Sequence, residues 1–192
     1  MVNYIFCKHN FHSLAPHLES TEKMHSSLAE QHTMKYAINL ACRLNAEKEL
    51  IVEPGARYTG NMINREARSF AQALDSMGIR RGDVVALLGA SSCRFYAAYF
   101  AVHKLGAITC NLHFRESASY LKDVLAKVEA KILICSEARL ARATEAVNGL
   151  PQPIPVVSLG DSVSATTAGA YGEFIDRFSA KEPVVDISPR DP

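Results

Sequence analysis

The sequence predicts an α/β fold: a doubly wound, mostly parallel sheet with flanking helices. Three observations carry the prediction. Four short runs, 84–88, 107–112, 131–135 and 154–159, are largely apolar and rich in β-branched residues, the pattern of strands covered on both faces. Segments with apolar residues at helical spacing separate them. The connections are short and punctuated by glycine, serine or proline, which suits right-handed βαβ crossovers. No unit repeats at a period of ~20–50 residues, which excludes a solenoid.

Taken in order, residues 1–32 read as a polar leader holding five of the seven histidines: His9, His12, His17, His25 and His32. The spacing of His9, His12 and His17 could in principle make a metal site, but the polar leader is the preferred reading, because Cys7 adds one thiol and no further cysteine or carboxylate stands at zinc-finger spacing. An α/β domain is expected over 33–182. Met34, Ala37, Ile38, Ala41 and Leu44 predict an amphipathic helix over 33–45. Residues 49–53 form a short strand stopped by Pro54-Gly55. A long helix follows Thr59, its N-cap, with Ile63, Ala67, Phe70, Leu74 and Met77 as the core stripe. Gly78 stands where a left-handed residue ends a helix, and Ile79 can fold back on the last turn.

After the turn 80–83 and the first buried strand, Ser91 or Ser92 caps a helix carrying Phe95, Ala98, Tyr99 and Val102, ended by Gly106. The second strand, 107–112, leads to a helix starting near 116 with Leu121, Val124, Leu125 and Val128. The third strand, 131–135, leads to a helix over 138–147 ended at Gly149. The fourth strand, 154–159, is introduced by prolines, and 171–178 is a short helix. Residues 183–192 read as a linker, rich in proline and without periodicity.

Composition narrows the function. Of 192 residues, 21 are Lys or Arg and 20 are Asp or Glu, so the net charge of +1 argues against a nucleic-acid partner held by a basic surface. An apolar content of 48% with 21% charged residues excludes wholesale disorder. No apolar run reaches the ~18–20 residues of a membrane span, and residues 1–6 are too short for a signal-peptide core. Five cysteines, an odd number with no CxxC, predict reduced thiols and a cytoplasmic location.

The familiar nucleotide and hydrolase signatures GxGxxG, GxxxxGK[ST] and GxSxG are missing. Ser91 has two readings, a phosphate cradle at a helix start and a plain cap, and the plain cap is the ordinary use of such a residue. His103 and His113 read as structural. Arg139 and Arg142, three apart near the start of the helix after the third strand, share one face at the carboxyl edge of the sheet. Two guanidiniums there suit phosphates; the alternative is a solvated face paired with Glu137 and Glu145.

The linear pattern resembles the N-terminal part of adenylate-forming acyl-CoA synthetases, the AMP-dependent synthetase/ligase family. The residues that carry the resemblance are Tyr58-Thr59, the block from Gly78 to Leu88 (GIRRGDVVALL), the block from Phe95 to Ile108 with its Lys-x-Gly-Ala turn, Asn111-Leu112-x-x-Arg115, and Ala130–Ile134. It covers about 49–159. Gly89-Ala90-Ser91-Ser92 departs from the family's usual Pro-Asn-Ser, and Met62 from its usual acidic residue.

The resemblance implies an enzyme that uses ATP and Mg²⁺ to convert a carboxylic or fatty acid to an acyl-adenylate, releasing pyrophosphate. The thiol of coenzyme A then displaces AMP. Residues 188–192 (SPRDP) look like the lead-in to the family's Ser/Thr/Gly-rich phosphate loop, so the chain is expected to be an N-terminal piece that is inactive alone. Some relatives hold coenzyme A phosphates with arginines at the place of Arg139 and Arg142, which implies that role here. Phe114 and Tyr99 stand where they line the acyl side or fill the core. A fragment is expected to self-associate through an exposed apolar face. The competing reading is a complete, non-catalytic α/β module that binds coenzyme A or a nucleotide.

Overall fold

In the computed structural model, residues 32–161, 163 and 165–191 are described. The predicted polar leader and its histidines, His32 apart, lie outside them. Helix α1 (Met34–Leu44) starts at Thr33, whose hydroxyl accepts from the Tyr36 N–H at 3.1 Å. Strand β1 (Glu49–Glu53) turns at Pro54-Gly55, where Gly55 takes φ +84°, and pairs antiparallel with β2 (Ala56–Thr59). Sequence periodicity missed β2, whose four residues are mostly polar. Helix α2 (Gly60–Ser76) begins at the predicted cap, Thr59, and ends in the predicted left-handed Gly78, with the Ile79 N–H returning to the Leu74 carbonyl at 3.1 Å.

Then β3 (Val84–Leu88), α3 (Cys93–Lys104), β4 (Ile108–Leu112), α4 (Ala118–Lys127) and β5 (Ile132–Cys135) follow in alternation. A single 3₁₀ turn, Glu137–Arg139, precedes α5 (Leu140–Asn148), and β6 (Val156–Ser158), β7 (Gly169–Ala170) and α6 (Tyr171–Arg177) complete the order. The strand β7 is two small residues and carried no sequence signal.

Five strands form one parallel sheet in the order β4-β3-β5-β6-β7. The chain steps one way from β3 to β4 and then reverses across β3 to β5. Helices therefore lie on both faces, as right-handed crossovers require. Successive residues of β3 serve opposite sides. Val85 and Leu87 join Phe70, Leu74, Val102 and Phe174 on one face. Ala86 and Leu88 join Leu121, Leu125, Ala143 and Val147 on the other. The predicted doubly wound sheet and the core stripe of α2 are thus present.

The buried face of α1 differs from the one read in the sequence. Met34 and Leu44 are 49% and 62% exposed, and Ile38 and Cys42 are the buried pair. Lys35 and Asn39 share that inward side, and they reach the segment after α6. There the Glu182 carboxylate accepts from Arg68 Nε at 2.6 Å, Asn39 Nδ2 at 3.0 Å and Lys104 Nζ at 3.1 Å. Lys104 has no exposed surface and also donates to the Asn39 carbonyl oxygen. Lys35 binds the Pro183 carbonyl at 2.7 Å, and Arg81 holds the Asp186 carbonyl at 2.9 Å and the Asp191 carboxylate at 2.5 Å. Residues 179–191, although without helix or strand, are therefore fixed along α1, α2 and α3.

Burial pulls the Lys104 ammonium below its ordinary range, against the pull of Glu182. Burial alone would push Glu182 up, but hydrogen bonds from Asn39, Lys104 and Arg68 and the charge of Lys104 hold it below the usual carboxylate range. The carboxylate gains from the pair, whereas the ammonium does not fully recover its lost hydration.

Candidate functional site

The strand order reverses between β3 and β5. In open α/β sheets the crevice beyond the carboxyl ends of such strands is where ligands bind. Four loops meet at this edge: those after β3, β4, β5 and β6. The ends of β3 and β5 approach closely. Ser136 N–H donates to the Leu88 carbonyl at 2.9 Å, and a Cβ on Gly89 would meet Ser136 Cβ at 3.3 Å.

The start of α3 is closed by protein groups. Ser92, of the two predicted caps, accepts from the Phe95 N–H at 3.1 Å. Glu53, at the end of β1, reaches across and accepts from the Cys93 N–H at 3.2 Å. A carboxylate thus takes the place that the phosphate-cradle reading of Ser91 reserved for a ligand, and that reading gives way. Burial, with Glu53 beside it, pushes the Cys93 thiol up to about 12, so it stays protonated and unreactive.

The β6 side is likewise occupied. Arg94 donates to the Leu159 carbonyl at 3.0 Å and to the Asp161 carboxylate at 2.5 Å, and its guanidinium lies 5.4 Å from the centroid of Tyr171. The Tyr171 hydroxyl donates to Glu66 at 2.5 Å. Burial and the Glu66 charge push that phenol far above its usual range, so it remains a donor.

The other side, where β4 and β5 end, is cationic. Arg139 closes the 3₁₀ turn and Arg142 lies in α5, so the two are not on one helix as predicted. They nevertheless converge on Phe114 in the loop after β4. The Arg139 guanidinium lies 5.4 Å from the Phe114 ring centroid. Arg142 donates to the carbonyls of Phe114 at 3.4 Å and Glu116 at 3.1 Å. Arg115 places its guanidinium 5.4 Å from the same centroid, and the His113 ring stacks on Phe114 at 5.3 Å. Among the described residues no carboxylate lies within 4.0 Å of Arg115, Arg139 or Arg142, so the alternative pairing with Glu137 and Glu145 is not formed.

Phe114 and Tyr99, both named for the acyl side, are not brought together. Phe114 packs on the α4–α5 face of the sheet and Tyr99 on the opposite face. Tyr99 instead makes an edge contact with His103, their rings 4.5 Å apart. Burial lowers the His103 imidazole, which keeps it neutral and structural. Sequence reasoning missed Glu53, Phe114 as an organiser, and Arg115; the adjacent aromatic and basic residues of His113-Phe114-Arg115 were the available signal. Among the described residues no group of three or more His, Cys, Asp or Glu is placed to hold a metal, and no helix is long and apolar enough to cross a membrane.

Comparison with known proteins adds the following. A family model described as AMP-binding enzyme matches residues 39–192. A probable acyl-activating enzyme 8 of Arabidopsis thaliana is 34% identical over 102 residues, covering 53% of this chain and 19% of that protein. The long-chain-fatty-acid–CoA ligase FadD13 of Mycobacterium tuberculosis is 29% identical over 137 residues, covering 70% of this chain and 26% of that protein. Among solved structures, an anthranilate CoA ligase, AuaEII, in complex with anthranoyl-AMP superposes with a TM-score of 0.74 at 22% identity. That match covers 81% of this chain and 30% of AuaEII. The chain spans about a fifth to a quarter of the length of these curated relatives.

Proposed function

Since the chain belongs to the AMP-binding enzyme family, we propose that it is the N-terminal part of an AMP-forming acid–CoA ligase. In the proposed reaction a carboxylic or fatty acid attacks the α-phosphorus of ATP, giving an acyl-adenylate and pyrophosphate. The thiolate of coenzyme A then attacks the acyl carbonyl, and AMP leaves with its electron pair. ATP and Mg²⁺ serve the first half, in which transferring phosphoryl charge must be neutralised. No residue assigned here contributes to that half.

The contribution proposed for this chain is to the second half. Arg139 and Arg142 hold the phosphates of coenzyme A beside the carboxyl edge of the sheet. The observation that carries this is their convergence on Phe114 with no carboxylate within 4.0 Å among the described residues. A guanidinium fork left without an acid suits a phosphate. The four described cysteines are free, which favours a reducing compartment, and we place the protein in the cytoplasm. Leu50 and Val52 share the outer side of β1 at 41% and 46% exposure and form the face through which a separated fragment self-associates.

The test is acid-dependent release of AMP by the full-length protein. The double variant Arg139→Ala with Arg142→Ala is expected to raise the KM for coenzyme A about tenfold or more while acyl-adenylate formation is unchanged. Equal coenzyme A dependence in variant and wild type would remove the assignment. Absence of any acid-dependent AMP release by the wild type, tested over a panel of acids, would remove the ligase reading itself.

A further inference from the structure

Among the described residues six arginines are paired with an acid, Arg57, Arg68, Arg80, Arg81, Arg94 and Arg177, and none of them lies at the β4–β5 edge. Arg115, Arg139 and Arg142 are the group that converges on one residue. Arg115 and Arg139 each lie 5.4 Å from the Phe114 centroid, so their guanidinium carbons are no more than about 11 Å apart. Arg142 is tied to the carbonyl of the same residue. Three like charges gathered in this way repel one another. The negative face of one ring offsets only part of that repulsion. A bound polyanion offsets the rest. Three guanidiniums gathered about one residue offer more donors than a single carboxylate can accept, which suits a ligand bearing more than one phosphoryl group. The acid in the same loop, Glu116, has its carboxylate 3.6 Å from His113 Nδ1 and not within 4.0 Å of any of the three guanidiniums.

We infer that Arg115 is a third phosphate-binding residue and that Phe114 is the positioning residue of the site. Its carbonyl sets Arg142, and its ring sets Arg139 and Arg115. This rests on the coenzyme A reading above. Coenzyme A carries a diphosphate and a separate phosphomonoester, which gives three guanidiniums distinct partners.

The experiment is calorimetric titration of the full-length protein with coenzyme A, comparing wild type with Arg115→Ala, Phe114→Leu, Phe114→Tyr and the double variant Arg139→Ala with Arg142→Ala. Arg115 is exposed, so its removal leaves the fold intact. Arg115→Ala is expected to raise Kd about tenfold, and Phe114→Leu by a similar factor. Phe114→Tyr, which keeps the ring, is expected to stay within about threefold of wild type. Adenosine 3′,5′-bisphosphate, used as a competitor, carries phosphate without the pantetheine arm and is expected to show the same Arg115→Ala loss. Wild-type affinity in Arg115→Ala alongside a weakened Arg139/Arg142 double variant overturns this inference and leaves the coenzyme A reading standing. Wild-type affinity in the double variant removes both. A loss seen with coenzyme A but not with the bisphosphate overturns the phosphate role of Arg115.

Discussion

Gly106 shows how one residue joins two parts of the molecule. It ends α3 at φ +67°, and its carbonyl accepts from the Gly82 N–H at 2.9 Å. A Cβ here would meet Ile187 Cγ1 at 3.0 Å and Arg81 Cγ at 3.3 Å. Gly55 has a comparable backbone, φ +84°, but nothing within 4 Å. Gly55→Ala is therefore expected to cost about 1–2 kcal/mol, the strain of a left-handed alanine. Gly106→Ala bears the same strain and must also displace Ile187. Urea unfolding of the two variants checks this: a larger loss at Gly106 supports the contact, and equal losses would show that the C-terminal segment yields freely.

Among the elements, the segment 179–191 depends on the Lys104–Glu182 pair. Removing one partner of a buried pair strands the other and costs about 3–5 kcal/mol, whereas replacing both by apolar groups is often neutral. Glu182→Leu strands the sealed Lys104 ammonium and is expected to destabilise strongly; Lys104→Met leaves the partly exposed Glu182 with Arg68 and Asn39 and is expected to cost less, and the double variant to lose less than the sum of the two. Additive losses would show that the pair is not coupled. Glu182 is held below its ordinary value of about 4.3, so its stabilisation is present above that pH and is lost as pH falls through the lower folded value. Melting temperature followed from about pH 5 to pH 3 is expected to show an acid-sensitive component in wild type that Glu182→Gln lacks.

This pair also marks what the sequence could not show. The termini of α2 were legible because Thr59 and Gly78 act locally. The inward face of α1 was not, because Lys35 and Asn39 are polar and their partners Pro183 and Glu182 lie 148 and 143 residues away. Hydrophobic periodicity places a lysine outside by default.

For the molecule as a whole, the parallel sheet was legible from four apolar runs, but the division of labour at its carboxyl edge was not. That Arg139 and Arg142 stand at the carboxyl edge could be read; that one loop brings them a ring and a third arginine could not, since Phe114 and Arg139 are far apart in sequence. The arginines around Phe114 are proposed to serve only the acceptor half of the reaction. The 192 residues alone are accordingly expected to show no carboxylate-dependent exchange of pyrophosphate into ATP, and exchange above the buffer rate would refute this.

The sealing of Lys104 has a consequence of another kind. An enzyme of the proposed class makes activated acyl groups, and free amines are nucleophiles that attack such groups when they escape. Lys104 is a primary amine with no surface open to solvent, covered by the segment that Glu182 holds in place. While that cover stays shut, the lysine is out of reach of the very electrophiles the protein is proposed to handle.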